Sequence, residues 1–167
     1  MKRFLSVLLC LSMMLPLFGC AREEAEIQKP VTFYYRKANV SFNDAESVIA
    51  REQRESYGHE GDIPYLMGMY LKGPSSADFH KTFPADTFIV SIHYTDNLAK
   101  IVFSFHFAEL SGIDLTVACA CVTMTMMELT DVESVQISAA GALLDDYQSI
   151  TMNKDCLLLL DNGTKGK

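Results

Sequence analysis

The sequence predicts an α+β fold, a mixed, mainly antiparallel sheet with two helices packed on one face, and three observations predict it. First, the stretch from Thr87 to Phe107 alternates twice. Phe88, Val90, Ile92 and Tyr94 interleave with Ile89, Ser91, His93 and Thr95; after Asp96-Asn97, residues Ala99, Ile101, Phe103 and Phe105 interleave with Lys100, Val102 and Ser104. Period-two alternation on both sides of a turn pair is the pattern of a β-hairpin. Second, Ile63 to Leu71 and Ile113 to Leu129 are apolar runs preceded by helix-capping residues. Third, Val31 to Arg36 and Glu133 to Ala139 are short segments rich in β-branched or aromatic side chains, which suits strands.

A two-residue hairpin loop pairs Tyr94 with Ala99, Ile92 with Ile101, Val90 with Phe103 and Phe88 with Phe105. That register gathers the rings on one wholly apolar sheet face, which the two helices are expected to cover. Asp62 is the expected cap of the first helix, with Pro64 in its first turn and Gly73-Pro74 as its stop. Its side chains Leu66, Met67, Met69, Tyr70 and Leu71 are apolar nearly all round, so it should be buried. Ser111 with Asp114 is the expected cap of the second helix. At about 100° per residue, Leu115, Ala118, Val122, Met126 and Leu129 form the stripe assigned to the sheet. Val117, Cys121 and Met124 fall on the opposite flank and are also apolar. Either the first helix covers them or they form a partner-facing surface. Ser149 to Met152 and Cys156 to Leu160, joined through Asn153-Lys154-Asp155, suggest a terminal hairpin. Asn43 to Glu55 is ambiguous: Asn43 with Glu46 resembles a capping box and propensity leans towards helix, whereas Val48-Ile49-Ala50 suits a strand.

The chain of 167 residues is 49% hydrophobic, enough for one domain with a real core. Lys2 and Arg3 precede an apolar run from Phe4 to Phe18 that is too short to span a bilayer comfortably and reads as an export signal. Its end, Leu17-Phe18-Gly19-Cys20, resembles the lipobox of bacterial lipoproteins, although Phe18 is bulkier than usual there. The resemblance implies Cys20 as the lipid-attachment site; the alternative is an ordinary secretory signal cleaved nearby. Expected divisions are a signal peptide at 1–19, a lipidated tether at 20–30, the domain at 31–161 and a flexible tail at 162–167. Cleavage removes Lys2 and Arg3 and no acid, taking the net charge from −7 to −9. So acidic a chain, lacking a basic stripe, is poorly matched to phosphate backbones, and no nucleic acid partner is expected.

Motifs for chemistry are missing. Cys119 and Cys121 stand about 200° apart on the expected helix, so they suit neither one metal nor a mutual disulfide and read as buried small side chains. A bridge from either to Cys156 stays open. Met67, Met69, Met124, Met126 and Met127 read as core filler before copper ligands, and His59, His80, His93 and His106 are dispersed. Asp145-Asp146 reads as solvated charge. With no phosphate loop, nucleophile elbow or paired carboxylates, no catalytic residue, metal or cofactor is expected.

Three segments carry a resemblance to a known family: Tyr70-Leu71-Lys72-Gly73-Pro74, Phe83-Pro84-Ala85-Asp86-Thr87, and Thr125-Met126 followed by Val132, Val135 and Gly141. They resemble the GerMN domain of sporulation and spore-germination lipoproteins over roughly residues 31 to 141. Asp86 departs from the glycine usual there, as do Val102 from a polar residue and Ala140 from an aspartate. The resemblance implies a strand at Val48 to Arg54, hence the order β-β-α-β-β-α-β plus the C-terminal hairpin. It implies a non-catalytic lipoprotein of a Gram-positive-type cell envelope, on the extracytoplasmic face of the membrane, binding a protein or envelope component. Candidate contact surfaces are Val117, Cys121 and Met124 and an unpaired sheet edge. The alternative is a solute- or ligand-binding lipoprotein with a pocket between helices and sheet.

Overall fold

The computed structural model describes residues 29–40 and 47–158. The export signal, Cys20 and the tail after Leu158 lie outside the described residues. Strands β1 (Pro30–Arg36) and β2 (Ile49–Glu55) form an antiparallel pair in which Pro30 faces Glu55 and Arg36 faces Ile49. β1 alternates as its composition predicts, burying Val31, Phe33 and Tyr35. β2 is a strand in spite of its helix-leaning residues because its side chains make long-range bonds. The buried Glu52 carboxylate accepts from Ser75 N at 3.0 Å, Ser75 Oγ at 2.8 Å and Ser76 N at 2.9 Å. Arg54 lies over the Phe33 ring, 5.6 Å from its centroid.

Helix α1 spans Ile63–Leu71, and the hairpin β3 (Ile89–Tyr94) and β4 (Leu98–Phe103) follows. A short 3₁₀ turn, Phe105–Glu109, leads into the long helix α2 (Gly112–Thr130), then β5 (Ser134–Ala139), β6 (Ile150–Asn153) and the short α3 (Lys154–Leu158). The second sheet runs β3-β4-β5-β6. β4 and β5 are parallel and the other pairs antiparallel. A parallel pair needs a long crossover, and α2 supplies it. Although α2 has the length and apolar content to cross a membrane, it is a core helix here. Leu115, Ala118, Val122 and Met126 enter the main core with Ala99, Ile101 and Phe103 of β4, Val135 and Ile137 of β5, Phe33 and Tyr35 of β1, and Leu66, Met67 and Tyr70 of α1.

The structure corrects four expectations. The hairpin register holds from Tyr94–Ala99 to Ser91–Val102, but a bulge then sets Ile89, not Val90, opposite Phe103. One extra residue reverses the alternation beyond it. Phe88 and Val90 are consequently 57% and 52% exposed. Phe105 does not join β4: Ser104 N donates to Phe88 O at 2.8 Å, the chain turns into the 3₁₀ segment, and Phe105 is 59% exposed while Phe107 is buried. The apolar set is therefore divided between core and solvent.

Val117 and Cys121 are not an outer surface. Both are buried with Ala120 and Ile49 in a second cluster, against which Val48, Tyr34, Met152, Leu157 and the half-buried Met124 pack. β1, β2 and the C-terminal segment pack on that flank, in place of the first helix. The terminal hairpin is absent, because β6 pairs with β5 and the chain then turns into α3, where Asn153 Oδ1 accepts from Cys156 N at 3.0 Å. Residues 159 and 160 of the expected second arm lie outside the described residues. Lastly, Ser111 makes no side-chain cap bond. Asp145 caps α2 instead, accepting from Gly112 N at 2.7 Å, so it is not merely solvated charge.

Candidate functional site

Between α1 and β3 runs a groove of about 490 Å³. Its first wall is α1, whose ends are set as the sequence predicts. Asp62 Oδ1 accepts from Tyr65 N at 3.1 Å, Pro64 occupies the first turn, and the chain leaves through Gly73 at φ +94°. Arg54 Nη1 donates to Gly73 O at 3.1 Å and reaches Met69 O at 3.4 Å, closing the last turn. The inner face of α1 buries Leu66, Met67 and Tyr70. Tyr70 Oη donates to Tyr34 O at 2.9 Å and Tyr35 Oη donates to Tyr70 O at 3.0 Å, so the helix is locked on β1. The outer stripe, Pro64, Gly68, Leu71 and Lys72, faces the groove.

The second wall is the unbroken run Thr87, Phe88, Ile89, Val90, Ser91 and Ile92. Thr87 and Phe88 lead into β3 and Ile89 to Ile92 belong to it; neighbouring strand residues such as Ser91 and Ile92 point to opposite faces, so a lining that takes both follows the strand's edge. β3 is an edge strand, paired on β4 alone. Its sequence, IVSIHY, carries neither the lysine nor the proline that usually guards such an edge. Direction follows from the rings. Tyr70 meets Phe83 edge-on at 5.1 Å, and Phe83 stacks at 6.4 Å on Phe103, the cross-strand partner of Ile89. The C-terminal end of α1, with Lys72, thus lies at the Ile89 end of β3.

A second hollow of about 400 Å³ is lined by Arg36, His80, Lys81, Phe83 and Asp114. Arg36 and Asp114 pair across it at 2.6 Å.

The other singled-out residues fall into structural places. Cys119 and Cys121 are free and buried, in the main and the second cluster respectively, while Cys156 is free and exposed. Burial pushes the Cys119 thiol up to about 12 and raises Cys121 further in the same direction. Both stay protonated and unreactive at neutral pH. Met67, Met69 and Met126 are core residues. His59 stacks on Tyr65 at 3.8 Å, and the His106 ring lies tilted against Phe105 at 3.9 Å. Among the described residues no three histidines, cysteines or carboxylates cluster as metal ligands. Gly68 was not singled out by sequence reasoning, yet a glycine inside an otherwise good helix is a signal that could have marked the groove.

The arrangement defines a class: a small α+β domain on a mixed four-stranded sheet with a long crossover helix and a groove along the edge strand β3. The chain belongs to the family described as Germane, sporulation and spore germination, whose sequence pattern matches residues 32–145. In fold it is similar to a candidate lipoprotein from Clostridium perfringens, with a TM-score of 0.50 and 16% identity over 81% of this chain and 97% of that one. It is similar as well to the tandem GerMN domains of the sporulation protein GerM from Bacillus subtilis, with a TM-score of 0.51 and 24% identity over 67% of this chain and 39% of that one. No curated protein matches the chain.

Proposed function

We propose that this chain is a lipid-anchored envelope lipoprotein of the sporulation or germination machinery, attached through Cys20, and that its domain is a non-catalytic binding module which holds another protein in the groove between α1 and β3. The observation that carries this reading is the open groove itself, with Phe88 and Val90 more than half exposed beside an unguarded strand edge. Apolar side chains massed at one exposed site mark contact surfaces more often than scattered ones do. The lipobox and the fold shared with a candidate lipoprotein support the anchor, and the family supports the setting. The reading as a solute-binding protein would use the same groove and has less support, because Lys72, Thr87 and Ser91 are the polar side chains its lining offers to orient a small ligand.

Two measurements test the proposal. Metabolic labelling with an alkyne fatty acid should mark the chain and be lost in Cys20→Ser. A photo-cross-linking amino acid at Val90 should trap a discrete protein in intact cells, whereas the same group at Leu143, which is 52% exposed and away from the groove, should not. Equal or absent cross-linking at both positions would overturn the binding module.

A further inference from the structure

Gly68 is the least expected residue in α1. It costs a helix interior about 1 kcal/mol relative to alanine, and no close approach demands it, since a Cβ there would meet nothing within 4 Å. What it does is keep the wall of the groove flat opposite β3.

The facing edge has free hydrogen-bonding groups in known places. Thr95 N donates to Leu98 O at 3.0 Å, closing the hairpin. In an antiparallel ladder the bonded pairs alternate from that point, so His93 and Ser91 bond to β4, and the main-chain N–H and C=O of Ile92, on the groove, and of Tyr94, just beyond its lining, point outward. The chemistry that satisfies such an edge is another extended backbone. The wall from Thr87 to Ile92, whose last four residues belong to β3, spans roughly 20 Å when extended, room for about six residues of added strand. Lys72 is the one charged side chain on the lining of a chain whose net charge is −7. An acidic group is thus repelled by most of the molecule and attracted at this end.

Resting on the binding-module reading above, we infer that the groove takes an extended segment of a partner protein, about six residues long, added to β3 as a fifth strand, with apolar side chains towards Leu71 and Pro64 and an acidic group at Lys72.

The test uses full-length protein in detergent micelles and a phage-displayed library of random dodecapeptides. Selection should enrich peptides that alternate apolar residues and carry an acid at one end. N-methylation of every second amide in a selected peptide should weaken binding at least tenfold in one phase and little in the other. Hydrogen exchange at the Ile92 and Tyr94 amides should slow when that peptide is bound. Gly68→Leu should abolish binding while raising or preserving the melting temperature, because it fills the groove and improves the helix. Lys72→Glu should shift the selected peptides from acidic to basic. Several results would overturn the inference. They are no enrichment over Gly68→Leu, equal tolerance of N-methylation in both phases, or a dimer of the free chain that Phe88→Asp dissolves, which would give the edge to a second copy. If Val90 cross-links a protein in cells while the selected peptides ignore N-methylation, the strand geometry fails and the binding module stands. If neither responds, both fall.

Discussion

Cys119 and Cys121 stand two residues apart and face different hydrophobic clusters, as a helix of 3.6 residues per turn requires. Their burial has a consequence at high pH. In the unfolded chain a thiol titrates near 9.0, but folded Cys119 holds its proton to about 12, and Cys121 is raised too. From pH 9 upward the unfolded chain therefore binds fewer protons than the folded one, and stability falls by on the order of 1.4 kcal/mol per pH unit for each thiol. Below pH 9 this effect is absent. Urea midpoints at pH 8, 9 and 10 should decline over the last step more steeply in the wild type than in Cys119→Ala/Cys121→Ala, which starts from a lower value because of the cavities and keeps the smaller decline due to the buried Tyr35 and Tyr70 hydroxyls, whose burial also raises them. A parallel decline in both would remove the thiols as the cause. Asp86 supplies a different lesson. The resemblance drawn from the sequence expects glycine at this position, and the φ of Asp86 is +61°. The left-handed turn is thus kept without the residue that adopts it most readily, since aspartate tolerates that region better than most.

At the scale of the element, helices were legible inside and illegible at one end. The extents of α1 and α2 follow from apolar runs and breakers, both local features. The cap of α1 is local too, and Asp62 provides it. The cap of α2 comes from Asp145, 33 residues along the chain, where no sequence window could pair the two. Asp145→Ala should lower stability by about 1 kcal/mol, read from denaturation midpoints, whereas Ser111→Ala should change little. The reverse ranking would restore the local cap. β3 and β4 show the same division: turn, strands and inner register were readable from alternation, but the bulge between Ile89 and Ser91 was not. That bulge, with the Phe88–Ser104 bond, sends Phe88, Val90 and Phe105 to the surface, and so makes half of the candidate site.

For the whole molecule, the C-terminal segment closes the fold. β6 extends the sheet, and Met152 and Leu157 cover the flank of α2 around Val117 and Cys121. Truncation after Gln148 should therefore lower the melting temperature by roughly 5–10 °C, equivalent to about 2–4 kcal/mol of lost burial and pairing, and should raise binding of a hydrophobic dye. An unchanged melting curve would mean that β1 and β2 alone protect that flank. The sequence by itself determined the α+β class, the two main helices, the β3–β4 turn and the burial of the α2 stripe. These rest on periodicity and capping, which act over a few residues and are written wherever the chain is read. Tertiary structure decided that Val117 and Cys121 are covered, that Asp145 reaches α2, that Ile49–Glu55 is extended, and that Gly68 looks across a groove at the edge of β3. Each of these depends on which distant segments meet, and the free energy that selects among such meetings belongs to the assembled core.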